Sequence, residues 1–367
     1  MLGPLLQHVS TVLEASGRTG PQRRSRLSSS GSQETTAVRR GIRSLKKEVR
    51  QFPLPRCMLG TCCPQQTFSM KILNFGSLNA DYVYEMPHIL LPGETLTSLS
   101  RNTYPGGKGL NSTVALAKAG ANVFFAGTLG TDGDFLLDTA KDAGADVSLI
   151  TRVDAPSGHT VIQVDDAAEN CILVFPGSNR MNTEVQIDDA LSHFESGDIL
   201  ILQNEVNNLP YLMEKAKQRG MTVVFNPSPC DEIIATLPLD KVDYLVVNKA
   251  EAATLAGESN SEPLESILQK LHGIYPHAKF VVTLGGEGAL YYDGSQTVRQ
   301  ECFPADAVDT TGAGDTFLGN FVTGLSEGMD PAECLRLAAA AASIAVSRKG
   351  AASSIPTRQE TERKLMF

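Results

Sequence analysis

The chain has 367 residues, 42% apolar and 20% charged, which describes a globular protein with a sizeable core in one large domain or several smaller ones. No window approaches the roughly 18 consecutive apolar residues of a membrane-spanning helix, and seven scattered cysteines exclude a disulfide scaffold and suit the reduced thiols of a cytoplasmic protein. Charge divides the chain: residues 1–69 hold 11 Lys or Arg and 3 acidic residues, a net of +8, whereas residues 70–367 hold 21 and 38, a net of −17. The acidic body argues against a nucleic-acid or membrane partner and suits an enzyme of small molecules.

The basic arm has runs such as Arg23-Arg24-Ser25-Arg26 and little apolar periodicity, so disorder is expected over residues 1–69 apart from a fraying helix near residues 38–49. Three readings of it stay open: an organelle transit segment, a dispensable tail, or a start taken too far upstream, since Met70-Lys71 directly precedes a clean strand. Cys57, Cys62 and Cys63 lack a second cluster or a paired His, which makes a weak zinc pattern.

Residues 71–76 predict a short strand ending in Gly76-Ser77-Leu78-Asn79-Ala80-Asp81. Residues 82–104 read as extended pieces broken by Pro87 and Pro92-Gly93. Gly106-Gly107-Lys108-Gly109-Leu110-Asn111 follows, without the spacing of a P-loop, and runs into a helix over residues 111–119. A strand at 123–126 and a helix at 135–143 come next, then a hairpin of strands 159–164 and 170–175. From residue 187 helices and strands alternate: helix 187–194, strand 199–202, helix 209–219, strand 222–225, strand 244–247, helices 249–256 and 264–274, strand 280–284. That rhythm predicts a three-layer α/β fold, a parallel sheet with helices on both faces. Segments 289–292 and 297–300 predict an antiparallel edge pair, and helices 314–327 and 331–347 close the domain.

Ligands of such sheets bind beyond the carboxyl ends of the strands. Here those ends carry Asn79 and Asp81, Gln203-Asn204-Glu205, Asn248-Lys249-Ala250-Glu251 and Thr283-Leu284-Gly285. Asn248 and Glu251 share one face of a helix start, which suits an N-terminal capping box, the common use of such a pair, or water held around Mg2+. In Asp309-Thr310-Thr311-Gly312-Ala313-Gly314-Asp315 a small-residue turn opens a helix and delivers one carboxylate. Unpaired N–H groups and the helix dipole favour an anion there. Asp315 therefore reads as a general base beside a phosphoryl group, or as an ordinary acidic cap.

Together, in this order and spacing and with Arg348-Lys349-Gly350-Ala351, these motifs resemble those of the ribokinase-like carbohydrate kinases over residues 70–367. The resemblance implies ATP-dependent phosphorylation of D-ribose at O5, with Asp315 as general base and Gly312, Ala313 and Gly314 as the anion hole. It implies sugar contacts from Asn79, Asp81, Gly107, Lys108, Asn111, Glu205 and Asp315. Asn248 and Glu251 would organise Mg2+, and Thr283, Gly285 and Gly314 would meet ATP. K+ would be held by Asp309, Thr311, Ala345, Arg348, Gly350 and Ser354. A small β lid from residues 82–104 and 159–175 would cover the sugar and pair two copies as a homodimer. One departure is Asn320 after Gly319, where the family has two small residues. A sister kinase for deoxyribose, fructose or a nucleoside is the alternative, and a non-catalytic sugar or nucleotide sensor a weaker one. A nicotinamide enzyme would need Gly-x-Gly-x-x-Gly after the first strand, which the chain lacks.

Overall fold

Ile72–Phe75 forms strand β1, and no residue of it reaches solvent, because both faces of the strand are covered. The computed structural model describes residues 70–167 and 169–366, so the expected extension over residues 1–69 lies outside the described residues. The chain continues with β2 (Asn79–Glu85), β3 (Ser100–Gly106), α1 (Lys108–Lys118), β4 (Val123–Leu129), α2 (Asp134–Asp142) and β5 (Asp146–Arg152). Then come β6 (Gly158–Val164), β7 (Asn170–Phe175), α3 (Glu184–Ser192), β8 (Ile199–Gln203), α4 (Leu209–Gln218) and β9 (Thr222–Asn226). They are followed by β10 (Tyr244–Asn248), α5 (Lys249–Ala256), α6 (Leu264–Ile274), β11 (Lys279–Thr283), β12 (Ala289–Tyr292) and β13 (Thr297–Gln300). Three helices end the chain: α7 (Ala313–Ser326), α8 (Pro331–Ala345) and α9 (Arg358–Leu365).

Nine strands form one sheet in the order β13-β12-β11-β10-β9-β8-β1-β4-β5, parallel from β11 to β5 with β12 and β13 antiparallel at one edge. Alternate side chains of the central strands feed two cores. Leu73, Phe75, Leu200, Leu202, Val223 and Phe225 pack on α3 to α6, while Ile72, Ile199, Ile201 and Val224 pack on α1, α2, α7 and α8. Burial on both faces explains why these strands read as unbroken apolar runs. The three-layer α/β architecture expected from the sequence is the observed one. Among the described residues no helix is long and apolar enough to cross a membrane.

Four strands form a second sheet, in the order β3-β2-β6-β7. Asn79 to Glu85 is therefore one strand, which begins three residues before the expected extended pieces and includes Asn79 and Asp81; it pairs antiparallel with β3 and parallel with β6. Two elements carry no clear signal in the sequence. Edge strand β5 is half solvated, and α9 has a strongly polar composition and begins at a capping box of Thr357 with Glu360. Helix α1 starts at Lys108, three residues before the expected helix, because Gly107 turns the chain with φ 93°.

α1 and α7 meet at a glycine. A Cβ at Gly319 would lie 2.5 Å from the Ala115 Cβ and 2.9 Å from the Leu116 N, so only Gly lets these helices approach this closely. The neighbouring Asn320 is buried, and its amide donates to Thr316 O at 2.9 Å within its own helix. That bond is how α7 absorbs the larger residue. Gly319→Ala is expected to force α7 off α1 and to destabilise the protein by about 1–3 kcal/mol. Urea unfolding of the two proteins measures this directly, and equal midpoints would contradict the close contact.

Candidate active site

Gly312 takes φ 72° at the N-terminus of α7, a left-handed conformation that side chains resist. It sits against the loop after α8, where its Cβ would lie 3.1 Å from the Ala351 Cα. Ala313 N–H donates to Thr310 O at 3.2 Å. The N–H groups of Gly314 and Asp315 are thus the first-turn donors left open. A Cβ at Gly314 would meet nothing within 4 Å, so this backbone borders open space. The space is a cleft of about 510 Å³ that Asn248, Thr283, Gly285, Ala313 and Gly314 line together. Among the expected nucleotide residues, Glu251 is not part of that lining.

The Asp315 side chain is buried, 8% exposed, and turns towards α1, where Asn111 Nδ2 donates to its Oδ2 at 3.0 Å. Burial pushes the Asp315 carboxyl above the usual carboxylate range, while the Lys108 charge and the Asn111 hydrogen bond pull it back. The accepting end of the same amide, Asn111 Oδ1, is buried and takes no hydrogen bond from a described residue. A buried acceptor next to a buried carboxylate suits a hydroxyl-bearing ligand.

The remaining expected sugar residues gather beside it. Glu205, in the loop after β8, accepts from Lys108 N–H at 2.9 Å and from the Ser77 hydroxyl. Asp81 lies over Gly106, where a Cβ would collide with its carboxylate, and accepts from Thr160 Oγ1 at 2.6 Å. A Cβ at Gly107 would lie 3.0 Å from Asn79 N, and Asn79 is buried at the start of β2. Burial raises the Asp81 carboxyl to about 6, with the Thr160 bond opposing the rise and the Glu205 charge adding to it.

At the start of α5, Asn248 Oδ1 accepts from Glu251 N–H and Glu251 Oε2 accepts from Asn248 N–H, both at 2.9 Å. The capping box is thus formed, and Glu251 Oε1 is left over. Among the described residues no group of three or more His, Cys, Asp or Glu could enclose a metal. This donor set fits Mg2+ only through water and phosphate oxygens, the usual habit of that ion. The loops 308–311 and 345–354 are tied by Asp309, whose carboxylate accepts from Thr311 N–H at 2.9 Å and Gly350 N–H at 2.8 Å. Burial opposes ionisation of Asp309, but those bonds outweigh it and hold its carboxyl below the usual range. Carboxylate, carbonyl and hydroxyl oxygens from Asp309, Thr311, Ala345, Gly350 and the fully buried Ser354 suit a hard monovalent cation. The Arg348 side chain pairs with Glu360 at 2.6 Å, so only its backbone is available to that loop.

Residues 69–358 match the pfkB family carbohydrate kinase. The chain belongs to that family. A ribokinase of Haemophilus influenzae is 35% identical over 295 residues, 78% of this chain and 95% of the relative. A ribokinase of Arabidopsis thaliana is 34% identical over 80% of each chain. The solved structure of Arabidopsis thaliana ribokinase complexed with ribose and ATP superposes with TM-score 0.75 and 30% identity, covering 82% of this chain and 99% of that one. Ribokinase from Thermotoga maritima gives TM-score 0.73 at 35% identity, covering 81% of this chain and 100% of that one.

Two contributors carry no role in the sequence pattern: Ser77 and Thr160. Ser77 stands inside a motif whose amide and carboxylate draw the attention, and Thr160 inside a strand of weak alternation. Their partners, Glu205 and Asp81, are 128 and 79 residues away along the chain, a proximity that only the fold reveals.

Folded Asp81 keeps its proton to about pH 6, whereas an unfolded Asp releases it near 3.8. Between those values the folded state binds more protons, so this group makes stability fall as pH rises through the window. Asp81→Asn, whose amide oxygen can still accept from Thr160, is expected to melt above the parent at pH 8. Each kcal/mol gained amounts to about 2–4 °C. The gap narrows at pH 5, where the parent's Asp81 is mostly protonated; an equal gap at both pH values would contradict the assignment.

Proposed function

We propose that the chain phosphorylates D-ribose at O5 with ATP, giving ribose 5-phosphate. The observation that carries this reading is the pairing of buried Asp315 with Asn111 directly beside the open first turn of α7. It puts an acceptor for a hydroxyl proton next to N–H donors for a phosphoryl group. Relatives named ribokinase, and one solved with ribose and ATP, support the choice of sugar and of phosphoryl donor.

On this reading the sugar lies among Asn79, Asp81, Gly107, Lys108, Asn111 and Glu205, with its terminal hydroxyl at Asp315. The nucleotide enters the cleft bounded by Asn248, Thr283 and Gly285, and its terminal phosphate meets Gly314. Asp315 takes the hydroxyl proton as the oxygen attacks phosphorus and the bond to the departing nucleotide oxygen breaks. Its raised affinity for protons suits that task near neutral pH. Gly312, Ala313 and Gly314 shape the turn that receives the growing charge on the phosphoryl oxygens. Phosphoryl transfer depends mainly on such positioning and charge stabilisation. Asn248 and Glu251 would hold Mg2+ through water, where it neutralises phosphate charge. Asp309, Thr311, Ala345, Arg348, Gly350 and Ser354 would hold K+, which fixes the turn's geometry.

The four-stranded sheet is proposed as a lid that closes over the sugar and excludes water, a competing acceptor. Its edge strand β7 exposes Ile172, Leu173, Val174 and Phe175. An uncovered apolar edge of this kind supports pairing with a second copy as a homodimer.

A coupled ATPase assay with ribose, 2-deoxyribose, fructose and a nucleoside, each with and without K+, tests the reading. Ribose is expected to give the highest kcat/KM, by about tenfold or more, since an absent hydroxyl leaves a buried group unpaired. K+ is expected to raise the rate. A better rate with another acceptor would replace ribose by a sister substrate.

A further inference from the structure

Asn179 is buried, 2% exposed, in the short turn Gly177–Arg180 that follows β7. Its amide grips the two residues where the chain passes from the large sheet into the small one. Oδ1 accepts from Leu78 N–H at 3.0 Å, and Nδ2 donates to Leu78 O at 3.3 Å and to Asn79 Oδ1 at 2.7 Å. The turn that carries it is itself anchored. Ser178 Oγ donates to Thr128 O at 2.9 Å, and Asn182 Nδ2 donates to Asn179 O at 2.8 Å and to Asn207 Oδ1 at 3.0 Å. Asn207 stands two residues after Glu205 in the same loop.

An amide side chain has one accepting and one donating end. Because Asn179 occupies the accepting end of Asn79, the donating Nδ2 of Asn79 is turned away from it, and among the described residues that nitrogen donates to no protein group. Space enforces the arrangement. Gly158 pairs with Asn79 across β2 and β6, and a Cβ on Gly158 would lie 2.1 Å from Asn179 Nδ2 and 2.3 Å from Asn79 Oδ1. The two amides fill the volume that this glycine leaves empty.

We propose that Asn179 is a positioning residue of the sugar pocket: it fixes Asn79 with Nδ2 directed at a hydroxyl oxygen of the sugar and seats the base of the small sheet. The inference rests on the reading of Asn79 as a sugar contact. A double-mutant cycle tests it, with the steady-state KM for ribose and for ATP as readouts. Asn79→Ala and Asn179→Ala are each expected to raise the ribose KM by about tenfold, the usual cost of one lost buried hydrogen bond. The ATP KM should move less than about twofold, and the double variant should be no worse than Asn79→Ala alone, because residues acting through one contact are not additive. Asn179→Asp retains the acceptor for Leu78 N–H and removes the donor to Asn79, so it supplies the same comparison if Asn179→Ala does not fold. An unmoved ribose KM in Asn79→Ala would overturn the sugar contact and the inference with it. A normal ribose KM in the Asn179 variant beside an impaired Asn79→Ala, or effects that add in full, would overturn the inference alone.

Discussion

A carboxylate kept out of water at the start of a helix is the constraint on which this structure turns. Asp315 stays in place because α7 and α1 approach across Gly319, close enough for Asn111 to reach the carboxylate at 3.0 Å. Burial raises its affinity for a proton, against the pull of Lys108 and Asn111. The same helix start borders the cleft of about 510 Å³ through Ala313 and Gly314. One helix terminus therefore borders both halves of the site, and the proposed chemistry needs little more than that adjacency.

The surrounding elements serve that terminus in different ways. The parallel sheet sets the strand ends in a row, so that Glu205, Asn248 and Thr283 arrive at the ends of β8, β10 and β11 on one edge. The loop after α8 backs Gly312 through Ala351, and Asp309 stitches that loop to the turn before α7. A cation in these loops, on the proposed reading, stiffens the backbone that receives the phosphate. The small sheet contributes Asn79 and Asp81 from β2, whose register with β3 and β6 determines where those side chains stand.

Much of this was legible in the residues. Runs such as Ile199–Gln203 and Lys279–Thr283 announce buried parallel strands, and the glycines around Lys108 and Asp315 mark close-approach turns. What periodicity missed has physical causes. β5 is an edge strand whose half-solvated alternation is short, and α9 is held by a capping box and ion pairs such as Arg358 with Glu327 instead of an apolar face. Asn79 and Asp81 carry no apolar alternation that would mark a strand, yet their backbones pair on both sides. At Asn248 and Glu251 the capping box is formed, and it leaves one carboxylate oxygen over, so the proposed water-held Mg2+ does not require breaking the cap. Long-range partners such as Ser77 with Glu205 have no local signature.

On the proposed reading, Asp315 accepts the hydroxyl proton. Asp315→Asn tests it most directly, since the amide keeps the size of the side chain and removes its basicity. Turnover with ribose and ATP should fall by about 10²–10⁴-fold, while calorimetric affinities for both ligands stay close to the parent's. A variant that turns over at near the parental rate, with the same affinities, would contradict the claim.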